Sequence, residues 1–140
     1  DPGEKFPWEK LSKNKIGTII NISSDLGIIA PDQRIYKNNK NSRQPVKPVT
    51  YSVIKHGIIG LTKYLSTYWP ECNIRSNTLC IGGVKNDQPR DFIKKVSKLI
   101  PMNRMAEPDE YKSAIQFLCS DASKYMNGSS LIIDGGRTSW

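Results

Sequence analysis

The stretch IGTIINISSDLGIIA, residues 16–30, decides how this chain is read. From Ile16 to Ile22 most positions are β-branched, which predicts a strand. Its near-continuous apolar character predicts a parallel strand covered on both faces. Ser23, Ser24 and Asp25 follow directly, and then a glycine. Two readings are open at this point. The stretch is either a plain strand-to-loop exit, or a strand that carries a serine to the mouth of an active site.

Working outward, a loop is expected from Gly27 to Val46, because Pro31, Pro45 and a run of Asn and Lys exclude regular structure. It exceeds the usual connection of about 4–6 residues, and such long loops are often functional. A helix is predicted from Pro48 or Val49 until Pro70, with Tyr51, Ile54, Ile58, Leu61 and Leu65 as its apolar stripe. Gly57 and Gly60 lie inside it at a cost of about 1 kcal/mol each, so close approach of a neighbouring element is expected there. NIRSNTLCI, residues 73–81, reads as a second strand running into GGV. DFIKKVSKLI reads as a short helix stopped by Pro101. Pro108 opens another helix, with Tyr111, Ala114, Ile115 and Leu118 on one stripe. SSLIIDGG closes the chain with a third strand and a glycine pair.

Strands separated by helices form βαβ crossovers, so an α/β fold with a parallel sheet is expected. Ligands of such sheets bind off the carboxyl ends of the strands. Ser24 follows the first strand, and Gly82 and Gly83 follow the second, so both lie at that end.

Composition narrows the classes. The chain has 140 residues, 37% apolar and 24% charged, in the range of one soluble domain or part of one. No apolar run approaches the roughly 20 residues of a membrane span, and DPGEKFPWEK lacks a signal peptide's apolar stretch. Cys72, Cys80 and Cys119 are scattered, with only His56 to join them, so no metal site is expected. They read as reduced, buried thiols of a cytoplasmic protein. The net charge of +8 invites a nucleic-acid reading. However, the lysines are dispersed, and the densest patch, KNNKNSR at 37–43, has no interleaved aromatics for stacking. A solvated basic surface is the better reading, with neither nucleic acid nor membrane as partner.

Tyr51 and Lys55 are four residues apart on the predicted helix and share a face. A free tyrosine, with a pKa near 10, is a poor acid or base at neutral pH. A nearby ammonium favours the phenolate, so the pair can move a proton near neutrality. A serine opposite could hold the reacting oxygen. Each piece alone is weak: Tyr-x-x-x-Lys occurs by chance, Ser24 could merely cap a turn, and GGV could merely be one. Their order, with these elements between them, is far more specific.

Over residues 14–140 the sequence resembles the carboxyl-terminal half of the short-chain dehydrogenase/reductase family, whose fold is a Rossmann-type doubly wound parallel sheet. Asn21 to Ser24 resembles its Asn-x-Ser-Ser, Tyr51 and Lys55 its catalytic pair, NTLCIGGV (77–84) its Asn-x-x-x-Pro-Gly-Gly-Val, and Asp134 to Gly136 its closing Asp-Gly-Gly. The subgroup it most resembles is linked to flagellin-glycan and nonulosonate sugar pathways. The resemblance implies an oxidoreductase that uses NAD or NADP to interconvert a carbonyl and an alcohol on a small molecule. Ser24 would bind that oxygen and Tyr51 would be the acid/base. Lys55 would lower the Tyr51 pKa and hold the nicotinamide ribose. The segment Ile81, Gly82 and Val84 would pass the nicotinamide. A homodimer or homotetramer is implied as well.

The sequence departs from that pattern at three points. Ile81 stands where proline is usual. The serine-to-tyrosine stretch is longer, through KNNKNSR. No Gly-x-x-x-Gly-x-Gly follows an early strand, so the dinucleotide-binding half is missing and 1–140 reads as a single partial domain, with a junction near Lys10 to Lys13. An alternative follows: a non-catalytic assembly module that retains the packing faces of its helices, or a truncated fragment lacking cofactor binding.

Overall fold

The computed structural model describes residues 16–37, 45–69 and 71–140. Along it run β1 (Ile16–Ser24), α1 (Val49–Tyr68), β2 (Asn73–Ile81), α2 (Arg90–Ser97), α3 (Lys112–Cys119) and β3 (Ser130–Ile133). The expected α/β alternation is present, in a three-stranded sheet ordered β1-β2-β3. β1 pairs with β2 in parallel from Ile16↔Asn73 to Ser24↔Ile81, and β2 with β3 from Thr78↔Ser130 to Ile81↔Ile133. Ser24, Ile81 and Ile133 therefore sit side by side at one rim. The register places the end of the Asn-x-Ser-Ser motif beside the start of the GGV segment. Residues 10–13, where a junction is expected, and Pro70 lie outside the described residues.

Alternate side chains of each strand face opposite sides. On one side Leu79 and Ile81 pack with Ile20, Leu131 and Ile133 against Ala114 and Leu118 of α3. Leu79 is 1% and Leu118 0% exposed. The other side, beneath α1, is polar. Thr62 Oγ1 accepts from Asn21 Nδ2 (2.9 Å) and Thr78 Oγ1 (2.7 Å), and donates to the Ile58 carbonyl (2.9 Å). The continuous apolar reading of Ile16–Ile22 does not hold on this side, because Asn21 closes a polar layer. The layer is tolerated because each donor in it finds an acceptor; among the described residues no buried side-chain nitrogen or oxygen lacks a partner.

Several boundaries differ from expectation. β1 continues to Ser24. The loop holds two short 3-10 turns, Asp25–Gly27 and Gln33–Tyr36, capped by Ser24 and Asp32. Side chains that accept hydrogen bonds from nearby backbone stabilise such turns without any periodicity. α3 begins at Lys112 rather than Pro108, because Pro108–Tyr111 form a separate turn. Ile115 faces outward there.

The stripe assigned to α1 is corrected as well. Thr62 and Leu65 are its buried residues, while Ile54 is 59% and Leu61 47% exposed. Apolar spacing misleads because the inward face includes Lys55 and Thr62, leaving apolar residues on the outward one. The neighbour expected at Gly57 and Gly60 is absent among the described residues: a Cβ on either would meet nothing within 4 Å. The thiols are not uniformly buried, since Cys119, at the last position of α3, is exposed. No described helix is long and apolar enough to cross a membrane.

After β3 the chain turns through Gly135 and Gly136, at φ 65 and 88, a region that favours glycine. Asp134 organises this turn, accepting from the Gly136 N–H (2.8 Å) and the Thr138 N–H (2.8 Å). Burial alone would raise its carboxyl. The hydrogen bonds from Thr138, Gly136 and Arg137 outweigh burial and hold it below the ordinary 3.8. A depressed folded pKa stabilises above the unfolded value and is lost as pH falls through the folded one. Wild type should therefore lose stability as pH drops below about 3.8. Asp134→Asn should lack this share of the acid slope and be less stable at neutral pH, as urea midpoints measured from pH 7 down to 3 would record. Equal acid slopes would contradict this role for Asp134.

Candidate active site

At the rim formed by the strand ends lies a cleft of about 300 Å³. Ser24, Tyr51, Lys55, Ile81, Gly82 and Val84, all singled out by the sequence, line it. β1 supplies Ser24, the first two turns of α1 supply Tyr51 and Lys55, and the segment after β2 supplies the glycines and Val84.

α1 is fixed against β1 by two bonds in opposite directions. Ser23 Oγ donates to the Lys55 carbonyl (2.7 Å), and Lys55 Nζ donates to the Ile22 carbonyl (3.1 Å). Lys55 Nζ lies 5.7 Å from the centre of the Tyr51 ring. The Tyr51 hydroxyl makes no hydrogen bond to a described residue, and Tyr51 lines the cleft. Gly27 completes the contact. A Cβ there would lie 2.4 Å from Ser23 Oγ and 2.7 Å from the Lys55 carbonyl oxygen. Gly27→Ala should push α1 off β1 at a cost of about 1–3 kcal/mol, measurable as a lowered urea midpoint. An unchanged midpoint would contradict the tight seam.

Ser24 does two things at once. It lines the cleft and caps the turn after β1, accepting from the Leu26 N–H (3.2 Å) while donating to Asp25 Oδ1 (2.7 Å). The two readings of the opening stretch are thus not exclusive. To donate to a bound oxygen, its proton must leave Asp25.

The segment after β2 is held from behind. Ala106 N–H donates to the Gly83 carbonyl (3.0 Å) and Lys85 N–H to the Ala106 carbonyl (2.8 Å). The Val84 amide is therefore turned away from Ala106. Its carbonyl accepts from Gln88 Nε2 (2.8 Å), and its N–H has no partner among the described residues. Buried Tyr111 donates to the Gly82 carbonyl (3.2 Å), and burial pushes its phenol up. Ile81, in place of proline, is the last residue of β2 and pairs with Ser24 on one side and Ile133 on the other.

Sequence reasoning missed several lining residues. Lys47 Nζ lies 3.8 Å from the centre of the Tyr51 ring. Its spacing of four before Tyr51 mirrors that of Lys55 after it, a signal visible in the sequence. The Lys47 N–H donates to Gln33 Oε1 (2.8 Å), which ties the loop's two ends. Tyr36 and Phe92 meet at 5.8 Å at the outer wall, and burial, then the charges of Asp25 and Tyr51, push the Tyr36 phenol up. Arg137 also lines the cleft. No local pattern marks Gln88 or Arg137.

Comparison with known proteins fits this geometry. A family model described as Enoyl-(Acyl carrier protein) reductase matches residues 7–138. Post-translational flagellin modification protein A of Campylobacter coli is 36% identical over 89% of this chain and 47% of its own length. The D-arabinitol 2-dehydrogenase (ribulose-forming) of Candida tropicalis is 35% identical over 98% of this chain and 47% of its own. A Leptospira borgpetersenii short-chain dehydrogenase crystallised with NAD+ superposes at a TM-score of 0.83, with 34% identity over 94% of this chain and 48% of that one. The chain thus spans about half the length of the curated relatives it matches. It belongs to the short-chain dehydrogenase/reductase family.

Proposed function

We propose that this chain carries the proton-transfer and nicotinamide-facing side of an oxidoreductase that uses NAD or NADP to interconvert an alcohol and a carbonyl on a sugar-derived small molecule. The observation that carries the reading is the convergence of Ser24, Tyr51 and Lys55 in one cleft at the strand ends. A nicotinamide dinucleotide would lie along the wall formed by Gly82, Gly83 and Val84, where the Val84 N–H, without a partner among the described residues, could donate to its carboxamide oxygen. When bound, the dinucleotide supplies or accepts the hydride.

The chain's own residues handle the proton. In the oxidation direction Tyr51, as phenolate, removes the alcohol proton; in reduction, as phenol, it returns one to the carbonyl oxygen. The Lys55 ammonium, fixed on the Ile22 carbonyl, would hold the nicotinamide ribose. Ser24 holds the reacting oxygen once its hydroxyl turns from Asp25. Ile35 and Tyr36, on the long loop, would cover the bound molecule as a lid. The sugar-derived class is supported by relatives named as polyol dehydrogenases.

The outward face of α1 supports assembly into a homodimer or homotetramer. Gly57 and Gly60 leave its backbone open to close approach, flanked by exposed Val53, Ile54, Leu61 and Tyr64. The alternative of a non-catalytic module rests on that same face. Nicotinamide absorbance, followed with intact protein and a panel of polyols and sugar acids, separates the two. Cofactor-dependent turnover of at least one supports the enzyme, and none across the panel contradicts it.

A further inference from the structure

The charges in the cleft are unbalanced in a specific way. Lys47, Lys55 and Arg137 are its cationic lining residues, and Asp25 and Asp32 its acidic ones. Both acids are already answered. Asp25 accepts from Ser24 Oγ and the Leu26 N–H. Asp32 is held by Arg34 through both oxygens, at 2.9 and 2.7 Å. Two cations are not answered. Among the described residues Lys47 Nζ has only the Tyr51 ring beside it, and Arg137 makes no side-chain hydrogen bond or ion pair, feeling Asp32 only through space. An exposed cation–π contact is weaker than a charge-assisted hydrogen bond. A carboxylate would therefore displace the ring as the partner of Lys47.

Resting on the redox reading above, we propose that the substrate is an anionic hydroxy acid whose carboxylate is clamped by Lys47 and Arg137. Lys47 stands over the ring of Tyr51, so the carboxylate it binds lies only a few carbons from the oxygen that Tyr51 serves. A neutral polyol of equal length would leave both cations without a partner, and the cleft would discriminate against it.

Calorimetric titration of the whole chain with D-gluconate and with D-glucitol tests this. The two probes differ only in the carboxylate. D-gluconate is expected to bind at least about tenfold more tightly. Lys47→Met and Arg137→Met should each weaken D-gluconate about tenfold and leave D-glucitol unchanged. Both residues are partly exposed and bear no core load, and circular dichroism of the variants confirms the fold. Equal affinity for the two probes, no binding of D-gluconate, or unchanged D-gluconate affinity in both variants would overturn the clamp. Turnover separates the two readings. Oxidation of D-glucitol as efficient as that of D-gluconate refutes the clamp and leaves the redox reading standing. Lysine- and arginine-dependent D-gluconate binding without turnover of any polyol or sugar acid supports the anion site and removes the redox assignment.

Discussion

Tyr51→Phe is expected to lower turnover of the intact protein by about 10²–10⁴-fold, the range a positioned acid–base group supplies. The substitution removes one oxygen and no packing volume. That oxygen makes no hydrogen bond to a described residue, so nothing in the fold depends on it, and the ring keeps its place beside Lys47. The urea midpoint should therefore stay within about 0.5 kcal/mol of wild type. The Michaelis constant should change far less than the turnover number, because the proton is handed over in the transition state. Turnover within a factor of a few of wild type would remove Tyr51 from the mechanism. Ser24→Ala is less clean, because it deletes a turn cap together with a cleft donor.

Thr62→Val is expected to destabilise the fold by about 2–4 kcal/mol, the other large effect. Valine matches threonine in shape but cannot accept from Asn21 Nδ2 or Thr78 Oγ1. Each buried donor left unpaired costs about 1–3 kcal/mol. Asn21 retains a longer bond to Ser76 Oγ at 3.3 Å, which trims the sum. Thr62→Ser keeps the oxygen and should cost under about 1.5 kcal/mol, the price of one buried methyl. Urea unfolding of the two variants separates the explanations. A loss in Thr62→Ser with none in Thr62→Val would mean that the methyl, and not the hydroxyl, holds this layer.

The two variants also show what was legible from sequence. The strand–helix alternation was legible because Ile16–Ile22 and Leu131–Ile133 are largely apolar and proline stands just before α1 and α2. The rim followed from it, since parallel strands must end together, and Tyr51 and Lys55 were readable from spacing alone. Thr62 was not legible. A polar residue on the inward face of a helix looks solvent-facing until the strand residues beneath it, Asn21 and Thr78, are known to donate to it. The apolar stripe was misread for the same reason: Ile54 and Leu61 carry the pattern of a buried face but lie on the outward one. Arg137 reaches the cleft from a segment without periodicity, brought there by the turn at Gly135 and Gly136.

The most direct test of the central claim is a crystal structure of the intact protein with a bound nicotinamide dinucleotide and an unreactive substrate analogue. The nicotinamide is expected against Gly82 to Val84, with the Tyr51 and Ser24 hydroxyls both within about 3.2 Å of one analogue oxygen. A nicotinamide bound away from this rim, or an analogue oxygen beyond the reach of the Tyr51 hydroxyl, would contradict it.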